Sequence, residues 1–440
     1  KNHDDFPYYH FPYSQLLTEY SHPIGLGSLN LGFRTPSSIF FLSSLFYLPK
    51  VDIFLMHLAP AFFLGFSNII LLDFIFSKEI YQKNKLINFL SLLIFLFINI
   101  FFYRLAEYGT DKPGQILVFI LLIYLIILVF KNDHLIEKNN NYIKFFLIIS
   151  CLLISIKPFY LIYSPMFLLL FLEKKLWKNL KIKNFYRTLF LCVSFIIIIL
   201  LFNFINSGCI VYPAEATCFY NLEWSLTKKN IEEMRIWYEL WAKAGATPNY
   251  VVENKLEFIS DFNWFNIWIK EYFFNKVSDF ILGLSLLSLI FYIIYFSKEK
   301  LSKNYKFNFR IYFIYLFLLI IFIEWFLYHP ALRYGGYHLF ALLFFIPISI
   351  SLQKTSQSYS VYLTKAKILI AISIIIFVGR NISRLNNEYN KYNYNPFFDY
   401  RYEINDNNFY YRYSDTIKKN ILNYKKTNFL GKNFLLIKNK

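Results

Sequence analysis

Period-two alternation is missing from the apolar stretches of this 440-residue chain. Runs such as FLCVSFIIIILLFNF are continuous blocks, which excludes the strands of a transmembrane β-barrel. Acidic side chains are scarce, 28 against 46 Lys and Arg, and leave a net charge of +18. In a soluble protein that balance would point to nucleic acid, but the basic cytoplasmic loops of a membrane protein produce it equally well. The longest polar loop has no nucleophile triad, metal-binding cluster or P-loop, so nothing suggests an ATP-driven transporter. An initiating Met and a signal peptide are lacking too, and residues 1–35 are already polar; an upstream transmembrane helix outside the given chain is expected.

What is present is apolar surface. The chain is 57% hydrophobic and 22% aromatic with mean hydropathy +0.38, above the level of a soluble domain. Its apolar runs lie near the roughly 20 residues needed to cross a hydrocarbon core of about 30 Å. The fold class expected is an all-α polytopic membrane protein with about ten transmembrane helices. Spans fall near 51–76, 87–103, 114–130, 143–157, 158–172, 188–206, 278–296, 311–328, 338–352 and 366–380. The apolar segment 37–49, bounded by Pro36 and Pro49, reads as an interfacial helix.

Charge orients the spans. The loops 77–86, 131–144, 173–187, 297–310 and 353–367 together hold 20 Lys and Arg against 5 acids, which assigns them to the cytoplasm. The alternating set then faces outward: an outer segment 1–50, transmembrane helices over 51–206, an outer loop 207–277, further helices over 278–380, and an outer tail 381–440. The loop 207–277 agrees, with 9 acids to 7 basic residues. The tail has 11 Lys and Arg to 5 acids, but an even number of spans places it outside, and long segments translocate largely regardless of charge. Cys209 and Cys218, with eight residues between them in the outer loop, suit a small disulfide in an oxidising compartment, with free thiols as the alternative. Cys151 and Cys192 read as core packing.

Candidate chemistry gathers at the outer helix ends. Asp4 and Asp5 are adjacent carboxylates beside a membrane mouth, able to act as base, to accept sugar hydroxyls or to help hold a divalent cation, magnesium or manganese. His10 and Glu19 stand in the same segment. The connector RLAEYGTDKPG places Arg104, Glu107, Asp111 and Lys112 together; Arg104 and Glu107, at i and i+3, could simply pair. HPALRYGGYH supplies Arg333, suited to a phosphate, with Tyr334, Tyr337 and His338 nearby and a Gly335-Gly336 step that lets a ligand approach the backbone. Glu324 is an intramembrane carboxylate, functional unless Arg333 or a His rescues it. Lys157 and Arg380 sit at outer ends, where snorkelling is the plain alternative.

Together, HDDFPYYHFPY, RLAEYGTDKPGQIL, SGCIVYPAEATCF, AGATPNY, HPALRYGGY and GRNISR resemble a family of bacterial polytopic membrane proteins associated with surface-polysaccharide genes. More loosely, the architecture resembles the GT-C glycosyltransferases, which use polyprenyl-phosphate sugars at the outer face. That resemblance implies a catalytic carboxylate in the first outer loop, where Asp4 and Asp5 stand, and a sugar transferred to a glycan, lipid or protein acceptor at the periplasmic side of the inner membrane. A polysaccharide polymerase relying on arginines is one alternative. A lipid-linked oligosaccharide flippase is another, although it should show mid-membrane charge pairs and internal repeats.

Overall fold

Uninterrupted apolar sequence with few Gly and Pro leaves a backbone in lipid one economical way to satisfy its N–H and C=O groups, the helix. The computed structural model describes Asp5 and residues 9–48, 50–51, 54–104, 109–129, 136–171, 183–246, 252–296, 309–392, 425–429 and 432–436. Its helices are α1 Phe11–Glu19, α2 Ser38–Leu45, α3 Leu58–Phe76, α4 Lys78–Lys83, α5 Lys85–Phe101, α6 Asp111–Val129, α7 Ile136–Ile156 and α8 Met166–Phe171. They continue as α9 Lys183–Ser207, α10 Lys228–Lys243, α11 Lys255–Ile259, α12 Phe265–Tyr295, α13 Phe309–Tyr328, α14 Gly336–Leu352 and α15 Tyr359–Tyr392. A β-hairpin, β1 Lys425–Phe429 with β2 Lys432–Leu436, departs from the all-α expectation within the tail.

Among the described residues, six helices are long and apolar enough to cross a membrane, and four more apolar helices are shorter. The protein is therefore a helical membrane protein. α5 and α6 form its centre: Leu86 to Asn99 and Pro113 to Val129 are buried without a break. α3 and α14 pack on both of them, α7 on α6 and α15 on α5. The outer helices expose apolar faces instead, for example Phe190, Ile197 and Leu201 on α9 or Ile368, Ile372 and Ile375 on α15, as lipid-facing surfaces do. Inside, the Asn68 and Asn99 side chains exchange hydrogen bonds of 2.9 and 3.1 Å, polar glue between α3 and α5 where no water competes.

Three expected spans are corrected. The segment 158–172 is a 3₁₀ turn Pro158–Tyr163 followed by the six-residue α8; Pro158 and Pro165 lack the N–H that a continuous helix needs. The span placed at 366–380 runs from Tyr359 to Tyr392, because the polar residues after Arg380 can extend a helix in water as well as in lipid. Arg380 donates to Ile100 O at 2.6 Å and lies 4.0 Å from the Tyr103 ring. The span placed at 278–296 begins at Phe265 and is π-helical over Ile269–Val277. α2 forms within the expected interfacial segment, capped by the Ser37 hydroxyl, with Leu45 exposed at its end.

The N-terminal segment docks on the end of α9. Gly25 N donates to Ile205 O at 2.8 Å, and the Asn206 amide reaches Phe33 O and the Tyr13 hydroxyl. Gly27 permits this approach: a Cβ there would stand 2.6 Å from Asn206 O.

Candidate active site

At the end of the bundle where α6 begins and α7 and α13 finish, a cavity of about 450 Å³ opens. The short connector between α13 and α14 builds its most charged wall. Trp268 Nε1 donates to Pro330 O, Trp325 Nε1 to Ala331 O, and Gln115 Nε2 to Arg333 O, while Leu332 N donates to the Tyr272 hydroxyl. Gly335 then turns the chain at φ +116°, a conformation other residues resist. Backbone pinned at four successive residues fixes where Arg333 can point.

Arg333 joins two carboxylates. Its terminal nitrogen donates to Asp5 Oδ2 at 2.6 Å and its Nε to Asp111 Oδ2 at 3.0 Å. Lys157 pairs with the other Asp111 oxygen. Asp111 opens α6, where the helix N-terminus favours negative charge; Lys157 sits in extended backbone between α7 and the Pro158 turn. The Arg333 guanidinium also lies 5.1 Å from the Trp241 ring and 5.7 Å from Tyr334. Burial alone would weaken its charge, but Asp111, Tyr334 and Asp5 outweigh it and hold the group well above its ordinary value. Burial, reinforced by Asp5, pushes the Tyr9 phenol up, and burial does the same at Tyr238 and Tyr334. The cavity therefore presents neutral hydroxyls and aromatic faces around a fixed network of charge.

The sequence-derived candidates divide cleanly. Asp5, Asp111, Lys157, Arg333 and Tyr334 converge here, bringing residues distant in the chain together. Asp4 and Glu107 lie outside the described residues. His10 is buried against Tyr9 and Phe40, and Glu19 is exposed and bonded to Gln15. Arg104 is absent from the lining; its carbonyl accepts from Lys112. His338 is buried below the cavity, hydrogen-bonded to Tyr163 and Gln115, so its role is in packing the connector. Tyr337 packs on Phe102 and Phe280. Gly336 makes room for Trp325 rather than for a ligand. Glu324 stands 4.0 Å from His329 Nδ1, beyond hydrogen-bond distance.

Sequence reasoning missed Tyr9, Tyr212, Arg235, Tyr238, Trp241 and His329. Arg235, Tyr238 and Trp241 follow one face of α10 at intervals of three, a spacing that was available as a signal. The α10 start is capped by Thr227. Arg235 is exposed at the cavity and has no hydrogen-bond or ion-pair partner among the described residues. Tyr212 is held by Arg34 at 3.1 Å, in the loop closed by the disulfide Cys209–Cys218. The expected disulfide is thus formed. Among the described residues no three His, Cys, Asp or Glu side chains gather as a metal cluster, and the two carboxylates that reach the site are engaged by Arg333 and Lys157.

Fold and site define a helical membrane protein with an ion-paired, aromatic-walled cavity at one end of its bundle. The chain belongs to the family described as a domain of unknown function, DUF8201, whose model matches residues 2–340 and so spans the whole cavity wall. No curated protein and no solved structure matches it.

Proposed function

We propose that the protein is a GT-C-like membrane glycosyltransferase. It takes a sugar from a polyprenyl-phosphate donor to a glycan, lipid or protein acceptor at the periplasmic face of a bacterial inner membrane, in surface-polysaccharide or glycoconjugate assembly. The single observation that supports this best is the joining of Arg333 to Asp5 and Asp111 beside aromatic walls. Among the described residues, three cations, Arg333, Lys157 and Arg235, outnumber the two carboxylates at the site, Asp111 and Asp5, which suits an anionic ligand. Tyr and Phe faces suit the apolar sides of sugar rings. The Cys209–Cys218 disulfide supports an oxidising compartment for this end of the bundle. In this reading the shorter apolar helices α5, α7 and α14 join the six long ones in the membrane.

Arg333 and Lys157 would stabilise negative charge developing on the departing phosphate, already positioned by Asp111 and Asp5. Asp5, the expected base, meets Arg333 through Oδ2, and a neighbouring cation makes a carboxylate a weaker base, so its better role is anchoring Arg333 and accepting sugar hydroxyls. Transfer by the purified protein in lipid nanodiscs should be measured with a panel of polyprenyl-phosphate sugars. Wild type should transfer, Arg333→Ala should lose more than about a hundredfold in kcat/KM, and Asp5→Asn about tenfold. A wild type inactive with the whole panel, or an Arg333→Ala variant at full rate, refutes the reading. Arg235, exposed at the cavity beside Arg333, favours one second reading, a polymerase relying on arginines, and a ladder of chain lengths in the product would distinguish it.

A further inference from the structure

Glu324 and His329 form a polar pair that the carboxylate-centred chemistry leaves unused. Glu324 lies about one turn before the end of α13, and His329 directly follows that helix. Glu324 Oε1 is 4.0 Å from His329 Nδ1, and the side chains are 33% and 30% exposed. His329 Nδ1 and Glu324 Oε2 are each shut off from solvent without a hydrogen-bond partner among the described residues. Native proteins pair the great majority of such atoms, and one that stays unpaired asks for a reason. Here two of them belong to one pair at the wall of a cavity.

The His329 ring lines that cavity. With Nδ1 enclosed beside Glu324, the exposed part of the side chain is the rest of the ring. It stands edge-on to Tyr334, centroids 6.2 Å apart, and Tyr334 flanks both Arg333 and Lys157. An imidazole with a carboxylate facing one nitrogen and the rest of its ring open is placed for proton abstraction once the two side chains draw together. Catalytic hydrogen bonds are often long in a free enzyme and tighten in the substrate complex.

We infer that His329 takes the acceptor's proton in the transfer, and that Glu324 is the positioning residue that orients its ring. This rests on the sugar-transfer reading above. The acceptor O–H proton passes to the open ring nitrogen, and the oxygen's electron pair forms the new bond to the sugar's anomeric carbon. The bond from that carbon to the phosphate oxygen breaks, and its electrons leave on polyprenyl phosphate. The imidazolium then releases its proton to water. Neutral imidazole is the form needed, and burial lowers His329 from its ordinary value, with Glu239 raising it and Lys243 lowering it further. The groups around the ring are thus Glu324 from α13, Glu239 and Lys243 from α10, and the rings of Tyr334 and Phe159.

The test uses full-length protein in nanodiscs with the same polyprenyl-phosphate sugars. His329→Ala should lower kcat by about a hundredfold or more while KM moves less than about threefold, and added imidazole should restore part of the rate. Glu324→Gln removes a carboxylate that favours imidazolium, so the acidic limb of the kcat/KM profile should move to lower pH. Deuterium exchange at the imidazole carbon, followed by mass spectrometry, should report the same downward shift in the His329 titration without reference to turnover. Active wild type with an active His329→Ala variant, or with no imidazole rescue and no shifted limb, overturns the role of His329 and leaves the sugar-transfer reading standing. An inactive wild type overturns both. His329→Asn, checked for an unchanged unfolding temperature, separates loss of the base from loss of the fold.

Discussion

Asp111 should matter more to stability than Asp5, although both meet Arg333. Asp111 accepts from Arg333 Nε and from Lys157, whereas Asp5 meets Arg333 at 2.6 Å. Replacing Asp5 by Asn leaves Arg333 with Asp111. Replacing Asp111 by Asn removes the carboxylate between two cations, which then face each other across it. Unit charges about 4 Å apart interact by roughly 4 kcal/mol at an effective dielectric of about 20. Desolvation already spent and side chains that are 12% to 30% exposed discount that figure. The net for Asp111→Asn should fall at about 2–3 kcal/mol, between the roughly 0–1 of surface pairs and the 3–5 of fully buried ones. Asp5→Asn should cost about 1 kcal/mol. Reversible unfolding of the purified protein in mixed micelles, with Lys157→Met added to complete a double-mutant cycle, measures both terms. If Asp5→Asn destabilises as much as Asp111→Asn, the two-cation role given to Asp111 is wrong.

Other expectations are independent of that network. Arg235→Gln should change unfolding free energy by less than about 0.5 kcal/mol, because the side chain is exposed and has no partner among the described residues, yet weaken retention of polyprenyl phosphate relative to neutral polyprenol; equal retention of both lipids would remove it from the site. Cys209 and Cys218 should react with a membrane-impermeant maleimide only after reduction and only from the outer side, and labelling from the cytoplasm would reverse the proposed orientation. Burial lowers His22 to about 4, while its ring nitrogen meets the Tyr13 hydroxyl at 3.1 Å. A folded value below the unfolded one means stability is full above about 6.5 and declines as pH falls toward 4, by about 3 kcal/mol; His22→Gln should flatten that decline in thermal unfolding. Gly114→Ala places a methyl against the Tyr160 hydroxyl, so it should displace a cavity-lining ring and raise KM more than it lowers kcat.

The sequence by itself determined the membrane class, most helix positions and the kind of residue that meets at the site. These follow from local properties: run length against bilayer thickness, loop charge, and ionisable residues standing where lipid makes them expensive. It could not separate Asp5 and Asp111, which reach Arg333, from Glu19, which faces solvent beside Gln15, since all three are acids in polar segments. Nor could it show that Pro158 and Pro165 break one expected span, or that His338 is enclosed while His329 lines the cavity. Those outcomes depend on which helix ends meet. That is set by α5 and α6 being buried on every side, and by the side chains of Trp268, Trp325, Gln115 and Tyr272, which hold one short connector in place. Contacts between residues hundreds of positions apart have no local signature, so the convergence of Asp5, Asp111, Lys157 and Arg333 was decided by the tertiary structure alone.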